Sequence, residues 1–177
     1  MTKKLAVSIG VIGLFLLNTP LGFGSSTEQT ATAHKLAGDS YLKQGNAHSA
    51  IEEYQKAIAL NSHSTALYFN LAIASYAMEN IKVSAQALEK LLALDPKDVE
   101  AHYNLACLSL YREDTLKAAE HFEKAKICCH PDSRFVPLID KGLGFLKELK
   151  NADPSTQSVL FFLLQQGLPP VLLTVVS

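Results

Sequence analysis

The sequence predicts an all-α fold: a right-handed α-solenoid of three helix-turn-helix units closed by a capping helix. Two observations carry this. From Ala33 to Asp132 the chain repeats itself every 34 residues without a gap, and each copy contains two amphipathic helical patterns joined by a short polar turn. Ala37-Gly38 corresponds to Leu71-Ala72 and Leu105-Ala106, Ala50 to Ser84 and Ala118, Tyr54 to Leu88 and Phe122, and Ala57 to Leu91 and Ala125. Lys56, Lys90 and Lys124 also align. One helix pair cannot bury its apolar face alone, whereas stacked pairs share a continuous core.

In chain order, residues 1–24 read as a signal peptide. Lys3 and Lys4 precede the uncharged apolar run Leu5 to Leu17, and the small residues Gly22 and Gly24 lie just before Ser25. The alternative is an uncleaved membrane anchor, although the run is shorter than the roughly 20 residues a span needs. Residues 25–32, mainly Ser, Thr and Ala, read as a flexible lead.

The three units follow as 33–64, 65–98 and 99–132. In the second, Thr65 to Met78 and Lys82 to Leu94 are the helices and Glu79-Asn80 the turn, with Gly45-Asn46 and Glu113-Asp114 as the matching turns. Asp95-Pro96 closes this unit because proline cannot continue a helix. Gly38, Ala72 and Ala106 are expected to meet Ala50, Ser84 and Ala118, so that paired helices approach closely. Tyr54, Leu88 and Phe122 are expected between units.

Residues 133–150 are expected to supply the capping helix, with Leu138, Ile139, Leu143, Leu146 and Leu149 as its apolar stripe. Residues 151–177 form an apolar tail. Gln165-Gln166-Gly167 and Pro169-Pro170 interrupt it, so packing on the repeats is favoured over a membrane span.

This pattern resembles the tetratricopeptide repeat family. The 34-residue period, Leu71-Ala72 and Leu105-Ala106, the later small residue, the aromatic or leucine, and Asp95-Pro96 all match. Ser75 and Ser109 stand where the family prefers tyrosine, which Tyr41 keeps. Ser62 and His130 stand at the closing proline position.

The resemblance implies a binding scaffold whose first helices line a concave groove. On the helical wheel, Tyr68, Leu71, Ala72 and Ser75 face the packed side. The opposite positions are Ala66, Phe69, Ile73, Tyr76 and Ala77 in unit two, and Glu100, Tyr103, Cys107, Leu110 and Tyr111 in unit three. In unit one they are Thr32, Lys35, Asp39, Leu42 and Lys43. The groove is expected to be charged at unit one and apolar-aromatic beyond it. It would receive either another polypeptide or the chain's own tail. Family members that clamp a C-terminal carboxylate need basic residues where this chain has Leu36, Ala66 and Glu100, so clamping is not expected even though Asn70 and Asn104 fit the asparagine slot.

No enzyme is expected: there is no Walker loop, dinucleotide fingerprint, Gly-x-Ser-x-Gly or His-Glu-x-x-His. No cofactor or metal is expected either. Cys128-Cys129-His130 offers soft ligands, but no second Cys/His cluster joins it, and Cys128 aligns with the packing residues Leu60 and Leu94. A metal or redox role for this cluster therefore ranks last. A net charge of -1 gives no support for a nucleic-acid partner. The expectation is an exported adaptor or assembly factor of the cell envelope, periplasmic or secreted. The alternative is a holding chaperone for apolar peptides resembling those of type III secretion.

Overall fold

A computed structural model of the protein describes residues 26–167. The expected leader at 1–24 and the last part of the expected tail, 168–177, lie outside the described residues. Among the described residues there are eight helices: α1 (Ser26–Lys43), α2 (Ala47–Leu60), α3 (Thr65–Ala77), α4 (Ile81–Leu94), α5 (Val99–Tyr111), α6 (Thr115–Cys128), α7 (Phe135–Asn151) and α8 (Pro154–Gly167). Helices α1/α2, α3/α4 and α5/α6 form the three tightest pairs. Successive pairs stack, α7 closes the stack against α6 and α5, and α8 touches α7 and α5. The fold is the all-α solenoid that the period predicts.

The three turns inside the units share one hydrogen-bonding scheme. Asn46 N donates to Tyr41 O, Asn80 N to Ser75 O and Asp114 N to Ser109 O, each at 2.9 Å. The residue before each donor has a left-handed backbone, with φ of 76° at Gly45, 57° at Glu79 and 60° at Glu113. This arrangement satisfies the last carbonyls of the first helix. The following residue then caps the second helix: Asn46, Asn80 and Asp114 side chains accept from Ser49, Val83 and Lys117 N at 3.1, 3.2 and 3.1 Å.

Small residues let the pairs approach, with one change from expectation. Ser84 Oγ donates to Ala72 O at 2.9 Å, so these two positions do meet. At Gly38 the close neighbour is a ring: a Cβ there would stand 2.6 Å from Tyr54 Cε1. Tyr54, Leu88 and Phe122 are fully buried.

One segment differs from the sequence reading. The flexible lead at 25–32 is helical from Ser26 onward, as the start of α1. Glu28 suits the positive end of the helix, Thr30 and Thr32 hydroxyls donate back to Ser26 O and Glu28 O at 2.6 and 2.9 Å, and Ala31 is buried. After the break at 151–154 the chain restarts as α8 (Pro154–Gly167). Asp153 accepts from Ser155 N at 3.0 Å and Thr156 N at 3.1 Å, and Pro154 occupies the first helical position, where its missing N–H costs nothing. These bonds, with those from the Ser155 and Thr156 hydroxyls, hold the Asp153 carboxyl far below the usual range.

Candidate peptide-binding groove

The face opposite the helix-pair packing is built by α1, α3 and α5, and its chemistry changes along the stack. At unit one it is a polar seam. Asp39 accepts from Lys35 Nζ at 2.7 Å, from Tyr54 OH at 2.9 Å and from Asn70 Nδ2 at 2.9 Å, which ties α1 to both α2 and α3. Burial first, then the hydrogen bond to Asp39, pushes the Tyr54 hydroxyl well above its ordinary value. Lys43 is exposed at the last turn of α1, whereas Leu42 is buried.

Unit two contributes Phe69 and Tyr76, both half-buried against the core, while Ile73 between them is 2% exposed. Burial raises the Tyr76 hydroxyl, with Tyr111 and Cys107 as further contributors. Tyr111 itself is 52% exposed.

Unit three departs most from the expected apolar lining. Tyr103, Cys107 and Leu110 are buried. The Tyr103 ring stands 5.9 Å from Phe122 and 5.6 Å from Phe135 at the start of α7. Burial pushes the Cys107 thiol up to about 12, the behaviour of an inert core cysteine. The physical reason is the cover supplied by α7, and α8 also touches α5. Of the ten expected groove residues, the structure leaves Lys35, Asp39, Lys43, Phe69, Tyr76 and Tyr111 within reach of solvent. Leu42, Ile73, Tyr103 and Leu110 are core.

The two asparagines act internally: Asn70 serves Asp39, and Asn104 Nδ2 donates to Glu100 O at 2.8 Å. Glu100 is half-buried, its carboxyl is raised by that burial, and Arg134 approaches it to 3.6 Å.

Sequence reasoning missed a site on the opposite face. His102 and His121 meet with Nδ1 atoms 3.1 Å apart, and His102 Nε2 donates to Pro96 O at 3.1 Å. That donation leaves His102 Nδ1 as the acceptor for a proton on His121 Nδ1. The pair borders an apolar cleft of about 510 Å³ between α4 and α6, with Leu92, Leu105 and Cys128 in its walls. The register held a signal: His34 and Glu53, bonded at 2.6 Å, occupy the same two positions in unit one. Cys128 and Cys129 are free, half-buried thiols. Among the described residues no three His, Cys, Asp or Glu side chains gather as a metal site.

Paired antiparallel helices at a 34-residue period, with a lined face left over after packing, define a tetratricopeptide-type repeat array. Models of that family match residues 38–79 (TPR repeat), 65–98 and 87–125 (tetratricopeptide repeat). Residues 38–125 of this chain belong to the tetratricopeptide repeat family. No curated protein sequence matches the chain. Among solved structures, the fold is similar to the Yersinia enterocolitica type III secretion chaperone SycD in complex with a peptide of the translocator YopD. The identity is 15%, the TM-score 0.64, and the match covers 69% of this chain and 95% of that one. It is also similar to MamA, at 21% identity and TM-score 0.62, over 77% and 76% of the two chains. The first TPR of Spaghetti (RPAP3), bound to an HSP90 peptide, matches at 19% identity and TM-score 0.62, over 71% and 96%.

Proposed function

We propose that this chain is a non-catalytic scaffold that holds an extended apolar segment of another polypeptide on its α1–α3–α5 face. The observation that carries the reading is that Phe69 and Tyr76 of α3 and Tyr111 of α5 stay within reach of solvent after helix packing. Aromatic anchors dominate such interfaces. Two relatives of the same fold are described with bound peptides, which supports the class of ligand. Lys43 and the partly exposed Lys35 would orient the segment and give its capture a salt dependence.

The leader at 1–24 supports an exported scaffold, periplasmic or secreted, that serves as an adaptor or assembly factor of the envelope. Among the described residues no helix is long and apolar enough to cross a membrane. A second reading, a holding chaperone for apolar peptides, is favoured by the match over nearly the whole SycD chain. The site of residence separates the two. Mass spectrometry of the native protein is expected to find an N-terminus near Ser25, and soluble protein starting at Met1 or Thr2 would favour the chaperone. For the groove, Tyr76→Ala with Tyr111→Ala is expected to weaken partner capture by about 2 kcal/mol or more per anchor with helicity unchanged. Wild-type affinity in that double variant would move the site elsewhere.

A further inference from the structure

We propose that the cleft between α4 and α6 is a second binding site, separate from the groove, and that its ligand is a small apolar amine. The inference stands independently of the groove reading.

The repeat register locates the cleft at this junction. His34 with Glu53, Tyr68 with Ala87, and His102 with His121 occupy the same two positions in successive units. In unit one the imidazole meets a carboxylate at 2.6 Å. In unit two the Tyr68 ring packs on the core, and Ala87 brings no polar group. In unit three two imidazoles meet at the edge of a cleft of about 510 Å³, within the size range of small-molecule sites.

The hydrogen bonds of the pair run in one direction. Pro96 O can only accept, so His102 Nε2 carries a proton and donates to it at 3.1 Å. His102 Nδ1 is then a lone pair, and the 3.1 Å contact places a proton on His121 Nδ1. His121 Nε2 is left as an acceptor, with no hydrogen-bond partner among the described residues. Burial lowers this imidazole to about 4, so at pH 7 it offers a lone pair and no charge. The geometry does not suit a shared metal ion. The ring centroids are 5.4 Å apart, which exceeds the nitrogen separation by about two ring radii. The two Nδ1 atoms therefore meet head to head, whereas two ligands of one ion converge on it at an angle.

The rest of the lining narrows the ligand. Leu92, Ala93, Pro96, Leu105 and Cys128 make the cleft apolar. Glu89 adds an exposed carboxylate from α4, a second acceptor. Lys124 also lines the cleft, but its Nζ already donates to Glu120 at 2.6 Å. With that pair cancelling, Glu89 leaves the cleft net negative. An anion would have to draw Lys124 away from Glu120, and a neutral hydrocarbon would leave both acceptors unused. An apolar ammonium covers the walls and brings three donors for His121 Nε2 and Glu89. A lysine side chain of another protein has the donors, but its slender stem covers little of the wall.

The test is calorimetric titration of the full chain with tryptamine, 3-methylindole and indole-3-acetate, which share one ring and differ in charge, and with Nα-acetyl-lysine amide. Tryptamine is expected to bind saturably and at least about tenfold more tightly than indole-3-acetate. In long-range proton–nitrogen spectra it should move the His121 Nε2 signal. Two variants locate the site, with circular dichroism confirming the helices in each. Ala93→Trp, at an exposed position of α4, fills the cleft without touching the imidazoles and should abolish binding. His121→Phe keeps a ring but removes the acceptor; it should weaken tryptamine at least about tenfold and 3-methylindole little. Tryptamine binding retained in Ala93→Trp would overturn the proposal, since it places the amine elsewhere. So would equal affinity for tryptamine and indole-3-acetate, which leaves only an apolar surface, or no saturation at millimolar tryptamine. Nα-acetyl-lysine amide binding as tightly as tryptamine would overturn it too, by assigning the cleft to a lysine of another polypeptide.

Discussion

Units one and three use the same repeat positions for opposite chemistry. Asp39 and Cys107 are equivalent, as are Tyr54 and Phe122, and His34 with Glu53 and His102 with His121. In unit one the aromatic carries a hydroxyl that finds a carboxylate, and the seam is wired to the next unit through Asn70. In unit three the aromatic lacks a hydroxyl and packs instead: a Cβ on Gly142 of α7 would stand 2.5 Å from Phe122 Cζ. Position in the stack explains the difference. Helix α1 has no helix beyond it among the described residues, so polar groups there can share water, whereas α5 is enclosed by α4, α6, α7 and α8. The repeat framework tolerates either solution because the small positions and the turns, not the seam, set the helix pairing.

The comparison breaks most visibly at Phe122. Phe122→Ala should cost about 3–5 kcal/mol in urea unfolding, because its ring holds α6, α5 and α7 together. Tyr54→Phe should cost far less, since it keeps the ring on Gly38 and loses only the bond to Asp39. A similar loss in both variants would mean that the hydroxyl, not the packing, secures unit one. Asp39→Ala comes next, at about 1–2 kcal/mol, because it leaves Tyr54 OH and Asn70 without their half-buried acceptor. Cys107→Ala removes a small buried thiol with its weak hydrogen bond to Tyr103 and should cost about 1 kcal/mol.

Acid should separate the two His-containing pairs. Burial, with His102 next in weight, lowers His121 to about 4 from an ordinary 6.5. The unfolded chain therefore binds more protons between these values, and stability falls as pH drops from about 6.5 toward 4. The loss is expected to be about 1 kcal/mol once solvent screening at a partly exposed ring is allowed for, and His121→Gln should remove it. At unit one, Lys56 and then His34 hold the Glu53 carboxyl below its ordinary value. That contribution is present above pH about 4.5 and disappears only below it, as the carboxyl protonates. Thermal unfolding across pH 7 to 3 distinguishes the two, and a pH response unchanged by His121→Gln would assign the upper transition elsewhere.

The smallest effect lies at the turns. Glu113→Gly and Glu79→Gly relieve left-handed backbone at a non-glycine residue and should each stabilise by up to about 1 kcal/mol. Gly45→Ala should do the reverse. A gain confined to one unit would show that the turns, too, differ along the stack.

Much of the fold was legible in the sequence because its cause is local and repeated. The period exposes Gly45, Glu79 and Glu113 as equivalent turns, and Asn46, Asn80 and Asp114 as caps. The groove was legible only in part. A wheel separates packed from unpacked faces within one helix, and so found Phe69, Tyr76 and Tyr111. It treated Tyr103 and Leu110 alike, although Phe135 and its neighbours on α7 cover that end. Asp39 read as a groove charge, yet it is a junction between three helices. Its partner Tyr54 is 15 positions away and Asn70 is 31.

By itself the sequence determined the helix pairs, their turns, their stacking order and the family, since each follows from short-range periodicity and from small residues at fixed spacing. The tertiary structure alone decided which repeat positions stay open. Exposure depends on what a distant segment covers: α7 and α8 are outside the 34-residue register, so nothing in the repeat pattern signals that they enclose unit three and leave unit two accessible.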